Sequence, residues 1–420
     1  MRSTLFFIPH EIWGVPLFGF GWLLAGLAVG VVIWLVWSAK IKLPASERWA
    51  ALPVVLVATA IVTLVLPNIE QVAVDGEPIG LPIRGYGVMV LLGLLAGVGI
   101  TVVRGKRLGI MPDTIVGLGF WMMLGGIVGA RLFYVVQKWS EYDHLGFQQR
   151  IVESFKLTEG GLVIYGGIVG GLLAAGIFCW RQQLHIASTA DLIAPGFLIG
   201  LSLGRIGCLL HGCCFGGVCT AELPAIQFPA GSGPYNSQLD SGRLLGIELE
   251  QVHSPPGRIA TVEPNSPAAQ VPWHAGQYVD EIAWGPSGEP PAQPTQSPPL
   301  RADVMVDGQR TTFLTGEMPP WSLPTHPSQI YASINALLLC LLIWHLQPLP
   351  RHDGMTFLIA VALYALSRFL LEWVRSDEGG QLGTPFTIAQ LIAMASGLVA
   401  VIAMLLVRQR SIGRKWQWGA

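Results

Sequence analysis

The sequence predicts an all-α polytopic membrane protein of about nine transmembrane helices, interrupted by a small β-rich extracytoplasmic insert. Three observations carry that prediction. Of 420 residues, 52% are hydrophobic and only 12% charged, about half the ~25% charged share usual in soluble domains. Apolar runs long enough to cross a bilayer recur along the chain. Residues 218–325 contain no such run and are instead rich in Pro, Gly and Ser. The net charge of −1 gives no general affinity for nucleic acid. The six cysteines do not make a disulfide-dense framework.

Candidate spans fall at 18–37, 50–66, 86–103, 114–136, 162–180, 192–210, 330–346, 355–374 and 388–407. Pro9, His10 and Glu11 precede the first, and no small-residue site follows a short apolar core, so no cleavable signal peptide is read there. Glycine pairs one helical turn apart (Gly93/Gly97, Gly125/Gly129, Gly166/Gly170, Gly200/Gly204) predict close helix approach. Basic residues mark the odd-numbered connections: Lys40, Lys42 and Arg48; Arg104, Lys106 and Arg107; Arg181 and His185; Arg351; and Arg408, Arg410, Arg414 and Lys415 at the end. Glu70, Asp75 and Glu77, then Glu141 and Asp143, lie in the others. The positive-inside rule then predicts an exterior N-terminus and insert and a cytoplasmic C-terminus.

Residues 14–21 echo residues 80–87, since each Gly/Pro-rich stretch leads into a Leu/Gly/Ala-rich helix. Residues 1–75 therefore read as an added helical pair, either a decayed duplication or two similar lipid-entry turns. The membrane core follows as 76–217 and 326–420, split by the insert at 218–325. Within the insert, 244–249 alternates like a strand, 258–262 follows, Ser266-Pro267-Ala268-Ala269 opens a short helix, and 274–282 closes with a second alternating run. That order resembles a PDZ-like module, a fold that binds peptides by adding a strand to a sheet edge. A loosely folded exterior loop is the other reading. Residues 286–299 read as flexible linker.

Two arginines lie in or at the edge of apolar runs: Arg205, in Gly204-Arg205-Ile206-Gly207, and Arg368, in Ser367-Arg368-Phe369. An arginine at membrane depth costs roughly 2.5–3.5 kcal/mol on insertion scales. A fixed anionic partner offsets that cost, and a phospholipid headgroup is the obvious anion. The guanidinium fork matches phosphate in two-point contact and stays charged. Glu372, four residues after Arg368, is the alternative partner and sits on the same helix face.

With Gly212 and Gly216, His326-Pro327-Ser328-Gln329-Ile330-Tyr331, Arg84-Gly85-Tyr86-Gly87, and Glu159-Gly160-Gly161 through Tyr165-Gly166-Gly167, these motifs resemble, in order, those of the prolipoprotein diacylglyceryl transferases. The resemblance spans 82 to about 408, interrupted by the insert. It implies an enzyme of the bacterial cytoplasmic (inner) membrane without a cofactor. Its partners would be phosphatidylglycerol and the lipobox peptides of prolipoproteins, with an envelope protein as a further partner of the insert. For that reaction Arg205 and Arg368 are the catalytic candidates at the phosphate, and Tyr165 and His211 those at the thiol. Tyr86, Gly166, Gly204, Cys208, Cys213 and Gly216 would line the lipid site, with His326, Gln329 and Glu372.

The chain departs from that pattern at Tyr165, where many members carry a histidine proposed as base. It departs again at Cys208 and Cys213, where asparagine and glutamate are usual. A phenol is a poor base unless nearby arginines depress its pKa. Either Tyr165 is tuned that way, or it positions substrate, or His211 or His326 removes the proton. Cys208, His211, Cys213, Cys214 and Cys219 crowd one helix end. They read as a soft-metal set, as a Cys214–Cys219 disulfide, or as free thiols. Asp191 reads as the cap of its own helix. These departures also motivate a second reading, a catalytically altered relative that binds lipid or peptide through the insert. A small-solute transporter is a third, but it requires matching halves that this sequence lacks.

Overall fold

The computed structural model describes residues 4–41, 52–72, 78–142, 146, 161, 163–219, 224–250, 254–286, 300–347, 352–375 and 383–409. Glu159 and Gly160, most of the 286–299 stretch and many of the loop charges used for orientation lie outside them. One compact unit comprises Met1–Gly85 and Pro229–Ser322, the other Tyr86–Phe228 and Leu323–Ala420.

In the first unit, strands β1 (Thr4–Pro9), β2 (Glu11–Ile12) and β3 (Val15–Pro16) lead into helix α1 (Trp22–Lys40). The second predicted span begins as α2 (Leu52–Ala60), loosens into a π-helical turn at Ile61–Val65, and ends as α3 (Leu66–Ile69). It is therefore not one of the eight described helices that are long and apolar enough to cross a membrane. Strands β4 (Gln71–Val72) and β5 (Pro78–Arg84) follow, and β5 pairs antiparallel with both β1 and β4. This pairing joins residues 4–9 to 78–84, across the boundary expected at 75/76.

The other unit begins with α4 (Gly85–Arg107), α5 (Pro112–Gln137), α6 (Ile164–Arg181) and α7 (Ile186–His211). Glycines set two of its helix contacts. A Cβ on Gly97 would lie 2.6 Å from the Gly196 carbonyl oxygen, joining α4 to α7. One on Gly129 would lie 2.4 Å from that of Gly166, joining α5 to α6. Gly166 thus serves helix contact, and Gly204, which meets nothing within 4 Å, does not. With lipid outside, such close approach is what drives association. Gly129→Leu is expected to destabilise the α5–α6 pair by about 1–3 kcal/mol or more, read as a lowered midpoint of thermal unfolding in detergent. An unchanged midpoint would dismiss this contact as a determinant.

The insert starts with α8 (Gly233–Asp240), followed by a 3-10 turn at Arg243–Leu245. Strands β6 (Ile247–Leu249), β7 (Gly257–Val262), β8 (Tyr278–Pro286), β9 (Leu300–Val306) and β10 (Gln309–Leu314) form one sheet in the order β10-β9-β8-β7-β6. Leu244 and Leu245 belong to the turn and not to the expected strand. Gly246, at φ +84°, switches the chain direction there, and a Cβ on it would lie 2.2 Å from that of Ser266. A 3-10 turn at Ala268–Gln270 occupies the place of the expected short helix. The hairpin β9–β10 was not read from the sequence, although Leu300, Ala302, Val304 and Val306 alternate inward. These side chains share a core with Tyr235, Leu245 and Ile259.

On the outer face of that hairpin, Arg301, Arg310 and Thr312 (whose Oγ1 lies 2.6 Å away) bond the Asp303 carboxylate. Arg310 above all, then Thr312 and Arg301, hold this carboxyl far below the usual carboxylate range. A depressed folded-state pKa contributes stability above the unfolded value, about 4, that is lost as pH falls through the folded value. In the full chain, hydrogen-exchange protection across β9–β10 is expected to decline below about pH 4. Asp303→Asn should remove that decline, and acid sensitivity identical to wild type would assign it to another group.

The chain then returns to the membrane unit with α9 (Ser328–Leu346), α10 (Met355–Glu372) and α11 (Ile388–Gln409). Pro195, inside α7, has no N–H to donate to the Asp191 carbonyl one turn earlier. The Gln347 side-chain amide donates to that oxygen instead. The Asp191 carboxylate accepts from the backbone N–H groups of Gly354 (2.8 Å) and Phe357 (2.7 Å). Asp191 therefore caps α10, and not its own helix.

Candidate functional site

Helix α7 ends at Gly212, whose φ of +81° only glycine adopts freely. The Cys213 N–H then folds back onto the Cys208 carbonyl at 3.1 Å, a Schellman-type closure. Cys214 follows at φ +57°, a left-handed conformation that costs a non-glycine residue about 1–3 kcal/mol. Helix α9 holds this strained loop. The Ser328 hydroxyl donates to the Cys214 carbonyl at 2.7 Å, and the Gln329 amide donates to that of Cys213 at 2.8 Å. Ser328 thus grips the loop and does not cap its helix, whose N-cap residue is Pro327. The His326 carbonyl accepts from the Gly216 N–H at 3.1 Å. A Cβ on Gly216 would lie 2.6 Å from that same oxygen, so Gly216 permits the crossing.

Behind the loop, Arg205 and Arg368 line one hollow with Leu201, Cys214, Ser328, Ala332, Asn335, Tyr364, Leu371 and Arg375. Its free volume, about 10 Å3, is on the order of that needed for one water. Glu372 is buried and accepts from Arg368, from Arg375 at 3.3 Å and from the Thr387 hydroxyl at 3.2 Å. Arg205 has no carboxylate within ion-pair distance among the described residues. Tyr364 faces it across the hollow, and Cys214 and Cys208 lie within electrostatic reach. Among the described residues, three guanidiniums gather around one carboxylate there, so cationic groups dominate the hollow.

Tyr364, Asn335 and Arg375 escaped the sequence reading. Tyr364 lies one turn before Arg368 on α10, whereas Arg375 lies past the end of α10, three residues after Glu372. That spacing was the available signal. Asn335 donates to Ser367 at 2.9 Å, joining α9 to α10 at the wall of the hollow.

Not every expected residue is gathered here. Tyr165 begins α6, is 40% exposed, and lines neither this hollow nor the apolar cavity between α4, α5, α6 and α7. The tyrosine beside Arg205 is Tyr364. Tyr86 and His211 meet each other edge to face, with ring centroids 6.0 Å apart. They stand beside Gly207, whose Cβ would lie 3.2 Å from the Tyr86 ring. Cys208, Cys213 and Cys214 bring their sulfurs within 4.8 Å of one another, without His211 or Cys219. All are free thiols, so the Cys214–Cys219 bridge is not formed. Of this trio, Cys214 is held well below the ordinary thiol range. Hydrogen bonds with Cys208 and Cys213 are the main cause, and the positive charges of Arg205 and Arg375 add to it.

A cavity of about 490 Å3 runs between α4, α5, α6 and α7. Among the described residues that line it, Thr101 alone has a polar side chain, and that hydroxyl is already bonded to the Gly97 carbonyl at 2.7 Å. Leu201 lines both this greasy cavity and the arginine hollow.

The family model described as prolipoprotein diacylglyceryl transferase matches residues 76–406. The chain belongs to that family. It is 34% identical over 445 aligned positions to the phosphatidylglycerol--prolipoprotein diacylglyceryl transferase of Rhodopirellula baltica, covering 98% of this chain and 90% of that relative. The transferase of the same name from Clostridium tetani is 24% identical over 338 positions, covering 80% of this chain and 97% of the relative. That of Paraburkholderia phymatum is 25% identical over 358 positions, covering 83% and 96%.

Proposed function

We propose that this transferase-family protein moves the diacylglyceryl group of phosphatidylglycerol onto the lipobox cysteine thiol of prolipoproteins. The observation that carries the reading is the shared wall at Leu201. Leu201 there separates a cationic hollow with Arg205, Arg368 and Arg375 from an apolar cavity, charge for a phosphate head beside grease for acyl tails, and the hollow, with room for about one water, widens to admit the head.

The peptide thiolate attacks the glycerol carbon, a C–S bond forms, and the C–O bond to phosphate breaks. Glycerol phosphate leaves with the electron pair, and its phosphate passes from one negative charge toward two. A hollow dominated by guanidinium groups favours that developing dianion over the bound diester, so its attraction grows along the reaction. Glu372 aims Arg368 and Arg375, and Arg205 is the guanidinium left for the phosphate. We assign proton removal from the incoming thiol to His211, which closes α7 beside Tyr86 and the thiol loop. Tyr165 acts in positioning.

The insert acts as a PDZ-like module, and β6, at the end of the sheet order, offers an edge for an exported peptide or another envelope protein. The basic last turns of α4, α6 and α11 support a cytoplasmic C-terminus and an extracytoplasmic insert in the inner membrane.

The test is the mass of a lipobox peptide after incubation with phosphatidylglycerol and the purified full chain. A gain of one diacylglyceryl group is expected. His211→Gln should lower the rate about 100-fold, whereas Tyr165→Phe should stay within a few-fold. The reverse order would return the base role to Tyr165. No mass gain, with phosphatidylglycerol still bound, would favour a lipid-binding relative.

A further inference from the structure

We infer that Cys208, Cys213 and Cys214 form a three-sulfur site for a soft monovalent cation, copper(I) by its chemistry, which reaches the arginine hollow through Cys214. The sulfurs lie within 4.8 Å of one another. With a metal–thiolate bond of about 2.3 Å, as zinc makes, a trigonal ion holds its sulfurs about 4 Å apart. The side chains therefore need only small rotations. Thiolate sulfur selects soft ions.

Coordination number separates copper(I) from zinc. Structural zinc takes four protein ligands. Among the described residues no fourth histidine, cysteine or carboxylate joins this cluster. His211, the nearest in sequence, has its ring against Tyr86. Charge agrees as well. One monovalent cation on three thiolates carries −2, and Cys214 stands in the same hollow as Arg205 and Arg375.

The site is held from outside the cysteine segment. The αL turn at Gly212 folds Cys213 back over Cys208, Cys214 sits at φ +57°, and Ser328 and Gln329 bond both cysteine carbonyls. The strained loop is thus fixed with its sulfurs converging before any ion arrives. Binding releases the thiol protons to solvent and involves no change of oxidation state.

A consequence rests on the function proposed above. An ion bound at Cys214 occupies the wall against which the lipid phosphate docks, and its three thiolates compete for the arginine charge. Transfer should therefore fall when copper(I) is loaded and return when it is chelated.

The purified full chain, kept anaerobic, is titrated against copper(I) held by a chromophoric chelator. One equivalent is expected to leave the chelator. Cys208→Ser, Cys213→Ser and Cys214→Ser should each weaken binding at least tenfold, while Cys179→Ser and Cys340→Ser, on buried thiols elsewhere, should not. X-ray absorption at the copper edge of the loaded wild-type protein should show a shell of three sulfurs, independently of how any variant folds. Full binding by the triple serine variant, a nitrogen or oxygen shell, or a disulfide mapped within the trio would each overturn the site. Copper binding without measurable transfer would count against the proposed function and leave the site standing.

Discussion

Replacing Arg205 with lysine is expected to lower diacylglyceryl transfer by about 100-fold or more, and replacement with alanine by more still. The charge survives in lysine, but the planar fork does not, and a single ammonium cannot follow two phosphate oxygens as charge builds on them. Arg205 is the critical member because Arg368 and Arg375 already share Glu372, whereas no described carboxylate pairs with Arg205. The loss should fall on kcat more than on KM, since the apolar cavity between α4, α5, α6 and α7 is left to hold the acyl chains and the attraction grows only as the dianion forms. Single-turnover transfer to a lipobox peptide measures this directly. Retention of activity within a few-fold by Arg205→Ala would remove the phosphate role from this residue.

Glu372→Ala is expected to destabilise the membrane unit by about 3–5 kcal/mol, the cost of removing one partner from a buried ion pair. The side chain of Glu372 is 1% exposed, and those of Arg368 and Arg375 are 17% and 9% exposed, so water compensates little for the lost carboxylate. Thr387 also loses its acceptor. The variant should differ from an ordinary core defect in one respect: an anionic lipid can supply the missing charge. Phosphatidylglycerol in the detergent micelle should raise its unfolding temperature by more than it raises that of wild type, through binding to the folded state alone. Phosphatidylcholine should not. Equal stabilisation by both lipids would show that the hollow does not discriminate headgroup charge.

Where contacts run along one helix, the residues announced them. Arg368 and Glu372, four apart, read as a pair and are one. The Gly125/Gly129 and Gly166/Gly170 pairs read as close-approach surfaces and face each other. The hairpin β9–β10 was legible in principle, because its inward residues alternate, but Pro-rich sequence on its N-terminal side obscured it. Asp191 shows the other limit. Its position near the start of an apolar run suggested a local cap, and the group it actually caps begins 163 residues later, at Gly354.

From its residues alone this chain declares a membrane bundle, because apolar runs of spanning length leave no other way to satisfy the backbone in lipid. Its two arginines within apolar runs are declared too, because charge at that depth is too costly to be incidental. Tertiary structure alone decided which groups meet. It set Tyr364 rather than Tyr165 beside Arg205, added Arg375 to the hollow, placed Leu201 in the wall of both that hollow and the apolar cavity, and drew three thiols into one cluster. Periodicity reports neighbours within an element. Those meetings depend on how α7, α9 and α10 cross, which packing across more than a hundred residues of intervening chain determines.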